Sequence, residues 1–349
     1  MKTSSGCVPN EEAPWLPFDT WPSNSLPLPA VGTWPKSQHL FDLESVWAIR
    51  TALATGRPLL LRGKPGMGKS QLARAAAVKL EVPFLSVVVD ERTERDDLLL
   101  SYDAVARLAQ AQVVGALAKD GEDWKKGLEE QCFIRPGPLW WAFDWKGASD
   151  QALLSTKQGR TCLVPEVPKG WTPTSQRLCG PVILVDEIDK ADASVPNGLL
   201  ETLANDGFEV QQPSKSVMRP AGVPPPLVVI TTNEERELPA AFLRRCLVHR
   251  MVFPSEGAQA EAFLIGRARV HFSSDDVSDA VCKEVAEQLW KDREKARKAG
   301  GHEPGPAEYL DVIRALADMG KAEEAHQREA FQREAFQRVR AFAFEKHLA

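Results

Sequence analysis

The stretch Gly63-Lys64-Pro65-Gly66-Met67-Gly68-Lys69-Ser70 fits the pattern G-x-x-x-x-G-K-[ST]. Its glycines let the backbone turn so that successive N–H groups aim at phosphate oxygens. A helix that starts at Lys69 adds the positive end of its dipole. In that chemistry Lys69 reaches the β- and γ-phosphates of a nucleotide, and the Ser70 hydroxyl binds Mg²⁺. Gln71, in the first turn of the same helix, completes the candidate nucleotide-binding set Gly63–Gln71.

A second acidic motif follows an unbroken apolar run, Val182-Ile183-Leu184-Val185-Asp186-Glu187. Such a run reads as a central parallel strand buried on both faces. The two carboxylates then stand at its C-terminal edge, where open α/β sheets bind ligands. Asp186 suits a Mg²⁺ ion, and Glu187 suits orienting or deprotonating a water. Asn233 ends another apolar run, Leu227–Ile230 plus two threonines. Read alone, it is either a contact to the γ-phosphate or attacking water, or a strand-ending residue in a turn. Arg244 and Arg245 close a short helical stretch. They either pair with acids on their own surface or reach a neighbouring subunit's γ-phosphate.

The elements that must position these groups alternate. Phe41–Ala54 reads as a helix, Leu59–Leu61 as a short buried strand, Lys69–Leu80 as a helix and Phe84–Val89 as a strand. Strand, loop, helix, strand opens a parallel α/β sheet. Asp96–Ala118 reads as one helix, because Leu98, Leu99, Tyr102, Val105 and Leu108 recur at helical spacing. Gly137–Phe143 opens another. Residues 146–180 are polar and rich in Gly and Pro, and read as an inserted loop or irregular hairpin. Ala193–Asp206 reads as a helix capped by Gly207, Phe208–Val210 with Val217–Arg219 as a small hairpin, and Val248–Phe253 as a last strand. Beyond Pro254 only helical periodicity remains.

This predicts three parts: a Pro- and Trp-rich arm over 1–40, an α/β nucleotide-binding domain over 41–254, and a helical domain over 255–349. Proline at the density of residues 8–36 excludes a regular helix or central strand, and the tryptophans favour docking on a neighbouring surface. A tandem Gln-Arg-Glu-Ala-Phe, ending at Phe331 and Phe336, does not match a 3.6-residue turn.

The chain's 349 residues suffice for these domains, and its net charge of −5 gives no footprint for non-specific nucleic-acid binding. No apolar run is long enough to span a membrane, and Met1–Asn10 has no apolar signal-like core. None of the six cysteines forms a C-x-x-C pair, so neither a zinc ribbon nor a redox motif is indicated. Reduced thiols in the cytoplasm are the expectation.

The order of these motifs resembles the AAA+ superfamily, and within it the MoxR-like ATPases, relatives of the dynein and McrB types. Asp96-Asp97-Leu98-Leu99, Arg135-Pro136-Gly137-Pro138-Leu139, Asp186 through Ala191, Pro196 through Leu200 and Leu238 through Arg245 carry the likeness, which spans about residues 40–320. It implies an AAA+ core of parallel sheet sandwiched by helices, with a C-terminal helical lid. It implies an ATPase that uses ATP and Mg²⁺, with Asn233 as the sensor 1 residue and Arg245 as the arginine finger, Arg244 beside it. It implies a ring, usually a hexamer, and a chaperone that remodels partners such as von Willebrand A-domain proteins. It also implies an insert near Asp103–Gln131 and a hairpin at Glu209–Arg219. The alternatives are a slow ATP-dependent switch or scaffold in stress or defence, and, less favoured by the acidic balance, a nucleic-acid motor or restriction-type subunit. Where lids of this type offer a sensor 2 arginine, this chain has Gly305-Pro306-Ala307-Glu308-Tyr309, with Arg314 seven residues after Ala307.

Overall fold

The computed structural model describes residue 21 and residues 25–117, 128–157, 162–174, 178–210 and 215–344. The first twenty residues of the arm lie outside them, as do parts of both expected inserts.

In chain order the elements are β1 (Leu26–Leu28), β2 (Ser37–His39), α1 (Leu43–Thr55), β3 (Leu59–Arg62), α2 (Lys69–Leu80), β4 (Phe84–Val88), α3 (Arg95–Leu99), β5 (Leu100–Tyr102) and α4 (Ala104–Leu117). Then come β6 (Ile134–Pro136), α5 (Pro138–Phe143), α6 (Trp145–Lys157), β7 (Val182–Asp186), α7 (Ser194–Ala204), β8 (Gly207–Val210), β9 (Lys215–Met218) and β10 (Leu227–Thr232). The chain continues with α8 (Ala240–Arg245), β11 (Leu247–Arg250), α9 (Gly257–His271), α10 (Asp279–Ala299), α11 (Pro306–Gly320) and α12 (Ala325–Phe344).

Five strands form one parallel sheet in the order β11-β3-β10-β7-β4. Alternation along each strand divides its side chains between two cores. Leu59, Leu61, Val182, Leu184, Leu227 and Val229 face α1, α2 and the C-terminal helices. Leu60, Ile183, Val185, Val228 and Ile230 face α5 and α7. Both faces are therefore covered, which is why these strands read as continuous apolar runs. Met251 and Phe253, just past β11, carry the first core into the helical C-terminal region. The expected α/β sandwich with a helical C-terminal region is the observed architecture.

The expected single helix over Asp96–Ala118 is instead α3, β5 and α4. Leu100 is extended at φ −161°, and β5 pairs antiparallel with β6. The apolar spacing mimicked a helix, but cross-strand pairing decides the backbone here. Val105 and Leu108 on α4 stay exposed. The polar stretch after Trp145 is also not all loop, since α6 runs to Lys157. Small Ala148 and Ala152 form its inner face, too weak a signal for periodicity, while Gln151 and Ser155 donate to the Ile134 carbonyl at 3.0 and 2.9 Å. At the end of α7 the left-handed residue is Asp206 (φ 51°), not Gly207. Gly207 opens the β8–β9 hairpin instead, where an added Cβ would stand 2.4 Å from the Val217 carbonyl oxygen.

The described part of the arm is a β1–β2 hairpin on the chain's own sheet domain. Arg74 of α2, fully buried, organises it by donating to the carbonyls of Leu28, Pro29 and Pro35 and to Ser37 Oγ. Trp34 packs edge-on against Phe84 and donates to Ser86 Oγ, and Trp21 packs on Phe41. The prolines leave carbonyls without neighbouring N–H donors, and a guanidinium with five donors collects them.

Candidate nucleotide site

The loop between β3 and α2 has three glycines at positive φ: Gly63 (148°), Gly66 (77°) and Gly68 (91°). A Cβ on Gly63 would meet the Met251 carbonyl oxygen at 2.5 Å, so no side chain fits there. A Cβ on Gly66 would meet Ala307 Cβ at 2.8 Å, which brings the start of α11 against the loop. Lys69 is buried and donates to the carbonyls of Gly63 (2.6 Å) and Lys64 (3.0 Å) and to Asn233 Oδ1 (2.8 Å). Burial lowers its pKa, against the opposing pull of Asp186, Asp189, Glu187 and Glu234.

Parallel pairing sets β7 and β10 side by side, so their C-terminal ends open beside this loop. Ser70 Oγ lies 2.9 and 3.0 Å from the two oxygens of Asp186. Thr231 Oγ1 donates to Asp186 and accepts from the Glu187 backbone N–H at 2.9 Å. Glu187 takes a left-handed backbone (φ 61°), unusual for a side chain this large and a form of strain concentrated at functional sites. Its Oε1 accepts from Asn233 Nδ2 at 2.9 Å, and its Oε2 from Lys190 Nζ at 2.6 Å. Asn233 thus bridges the loop lysine and the second carboxylate. Buried Asp189 fixes the turn that carries it, accepting from the backbone N–H groups of Asn233 (3.4 Å) and Glu235 (2.9 Å).

Pro65 through Gln71, Asp186, Glu187 and Asn233 all line one cavity of about 450 Å³. That size is typical of a small-molecule pocket. Gly63 and Lys64 stand behind this wall, where Lys64 pairs with Glu303 of the C-terminal region at 2.6 Å. Gln71 Oε1 accepts from Ser37 Oγ of β2 at 3.2 Å. Arg244 and Arg245 are exposed, outside the cavity wall, and neither guanidinium has a hydrogen-bond or ion-pair partner among the described residues. Only their carbonyls are engaged, by Arg57.

Lys190, Thr231 and Asp189 carried no role in the sequence reading, although all flank its motifs. The partners of Thr231 and Asp189 are set by how β7 and β10 align, whereas Lys190 pairs with Glu187 on its own turn. On the far side the cavity is walled by Trp34, Gln38 and His39 of the arm hairpin, by Arg267 and His271 of α9, and by Leu310 and Arg314 of α11. Ala307, in the stretch without a sensor 2 arginine, stands against Gly66 of the loop. Arg314 reaches the wall, but with its guanidinium largely exposed and 3.9 Å from Asp311.

The residues present fit a nucleotide with Mg²⁺. The loop's glycines take the positive-φ backbone that lets successive N–H groups turn toward an anion. Ser70 and Asp186 put a hydroxyl and a carboxylate together, the oxygen donors Mg²⁺ prefers. Among the described residues no helix is long and apolar enough to cross a membrane, and no cluster of three or more His, Cys, Asp or Glu residues suggests another metal site.

A family model described as an AAA domain of the dynein-related subfamily matches residues 58–246, more than half of the chain. No curated protein matches. Among solved structures, a provisionally assigned ATPase from Cytophaga hutchinsonii is 14% identical, with 86% of this chain and 79% of that chain covered and a TM-score of 0.35. A RuvB variant from Thermotoga maritima is 12% identical over 84% of this chain and 67% of that one, with a TM-score of 0.41. The matched span holds the loop, both carboxylates, Asn233 and the arginine pair, and so the chain belongs to the AAA domain family, dynein-related subfamily, and is an AAA+ ATPase that acts on ATP with Mg²⁺.

Proposed function

We propose that the chain works as a MoxR-like chaperone, assembling into a ring, usually a hexamer in such proteins, and using ATP hydrolysis to remodel a partner protein. AAA+ ATPases generally form rings. The observation that carries this reading is the separation of Arg244 and Arg245 from their own cavity, exposed and unpaired while every other candidate residue converges on the loop. In this reading the pair completes a neighbouring subunit's site and not its own. The MoxR likeness points to von Willebrand A-domain proteins as partners.

Within each site, Lys69 and the loop amides hold the phosphates. Ser70 and Asp186 hold Mg²⁺, which neutralises phosphate charge when bound. Glu187 orients the attacking water and takes its proton. Asn233 keeps Glu187 and Lys69 in register. Arg245 of a neighbouring subunit, with Arg244 beside it, stabilises the charge that develops on the transferred phosphoryl group.

The test is phosphate release across protein concentrations. The rate per subunit is expected to rise with concentration, and Glu187→Gln to bind ATP without turnover. Mixing Arg245→Ala with Glu187→Gln subunits should recover activity at shared interfaces. Absence of recovery in well-mixed assemblies counts against the neighbour's arginine. Both oxygens of Glu187 are tied in the present geometry, and this favours a second reading: a slow switch or scaffold in which assembly on ATP matters more than turnover. Tight ATP binding with scarcely any phosphate release at all concentrations supports it.

A further inference from the structure

The lid side of the cavity holds a cation that no motif marks. Arg267, on the last turn of α9, places Nη1 3.5 Å from where a Cβ on Gly68 would stand. Its guanidinium stacks on Phe263, one helical turn earlier, at 4.4 Å from the ring centroid. It is partly buried and has no hydrogen-bond or ion-pair partner among the described residues. Burial lowers its pKa, with Asp42 as the opposing charge. Asp42 is already committed, since its two oxygens accept from the Ser45 backbone N–H and hydroxyl, both at 2.7 Å. Of the other titratable groups on this wall, Arg314 is a second cation, and His39 and His271 are both held toward the neutral form by burial first, with Arg267 among the charges that add to it. Among the described residues the cavity's carboxylates are Asp186 and Glu187, held by Ser70, Thr231, Asn233 and Lys190.

A guanidinium does not shed its proton in a protein. Withdrawing it from water without a counter-ion is unfavourable unless a ligand brings the negative charge. The backbone around Gly68 cradles the α- and β-phosphates in loops of this kind. We infer that Arg267 is a phosphate-binding residue contributed by the same chain's lid, reaching the α/β-phosphates of bound nucleotide from the first C-terminal helix. The Gly305–Tyr309 stretch of α11, which lacks an arginine, gives the lid only an apolar contact at Ala307. Arg267 adds a charged contact aimed at the phosphates, apart from Arg314 on the same wall and the Lys64–Glu303 pair behind it. Because the α- and β-phosphates are common to ATP and ADP, the lid then responds to occupancy of the site and not to the γ-phosphate. The assignment rests on the ATP reading of the cavity.

The test compares wild type, Arg267→Ala and Arg267→Lys by titration with fluorescent ATP and ADP analogues, with thermal melting of each nucleotide-free protein alongside. Arg267→Ala is expected to weaken both nucleotides about 10- to 100-fold, the loss of a charge-assisted phosphate contact. Arg267→Lys should recover part of it, and the nucleotide-free melting temperature of Arg267→Ala should not fall. Affinities within about threefold of wild type overturn the inference. So does a loss confined to ATP, which places the contact at the γ-phosphate. A fall in the nucleotide-free melting temperature that tracks the affinity loss makes Arg267 structural and overturns it too. If wild type itself binds neither nucleotide, the cavity assignment fails first.

Discussion

Asn233→Ala isolates the bridge between Lys69 and Glu187. The substitution removes the acceptor 2.8 Å from Lys69 Nζ and the donor 2.9 Å from Glu187 Oε1. A hydrogen bond to a charged group is worth about 1.5–3 kcal/mol. Lys69 keeps two acceptors, the carbonyls of Gly63 and Lys64, so its position survives. The Glu187 carboxylate loses its contact with the turn after β10 and keeps Lys190, on its own turn, while its backbone N–H stays on Thr231. The loss therefore falls on orientation of the attacking water. At about 1.4 kcal/mol per decade, kcat should drop about 10- to 150-fold while the Kd for ATP moves less than about threefold. Asn233→Asp sharpens the contrast. It preserves an acceptor for Lys69 but sets a carboxylate against Glu187, a repulsion of about 4 kcal/mol at ~4 Å for an effective dielectric of ~20. It should bind ATP and be at least as slow as the alanine variant. Steady-state phosphate release and nucleotide titration read both quantities. Turnover of Asn233→Ala within twofold of wild type, or a Kd that rises as much as kcat falls, would refute the bridging role.

Lys69→Ala should abolish detectable ATP binding in the same titration, because the buried ammonium is the loop's own cation; binding near wild-type strength would remove it from the site. Arg74→Met should destabilise the fold by about 3–5 kcal/mol in urea unfolding, since it leaves the arm's proline-flanked carbonyls unsatisfied; a change under ~1 kcal/mol would mean the hairpin does not depend on it. His39 is buried, and its pKa is lowered to about 4, chiefly by burial. Above pH ~6.5 it is neutral folded and unfolded and costs nothing. Below that the unfolded chain takes a proton that the native state refuses, until the pH reaches the folded value. Between pH 6.5 and 5, His39→Gln should therefore lose about 2 kcal/mol less stability than wild type. Equal losses measured by urea unfolding would contradict it.

Much of this protein was legible from local sequence. The loop Gly63–Ser70, the apolar runs before Asp186 and Asn233, and the helical C-terminal region are each written in contiguous residues, because a phosphate loop and a doubly covered parallel strand are local solutions to local constraints. The sequence did not contain in readable form which distant residues meet. Periodicity made one helix of Asp96–Ala118, although β5 needs its partner β6 some thirty residues on to be a strand. The arm read as proline-broken, and only the docking of Arg74 beneath it turned those carbonyls into a folded hairpin that walls the nucleotide cavity. Thr231 lay beside a recognised motif, yet its role depends on β7 and β10 aligning in parallel. Arg267 lay in a helix with no motif at all. Its distinction is that it stands beside Gly68 without a counter-charge, and a charge's partner, or its lack of one, is a property of three-dimensional neighbours. Backbone conformation near a motif is set within a few residues of it. Ion pairs, cavity walls and strand pairings are set by contacts far apart in the chain, and those the tertiary structure decided.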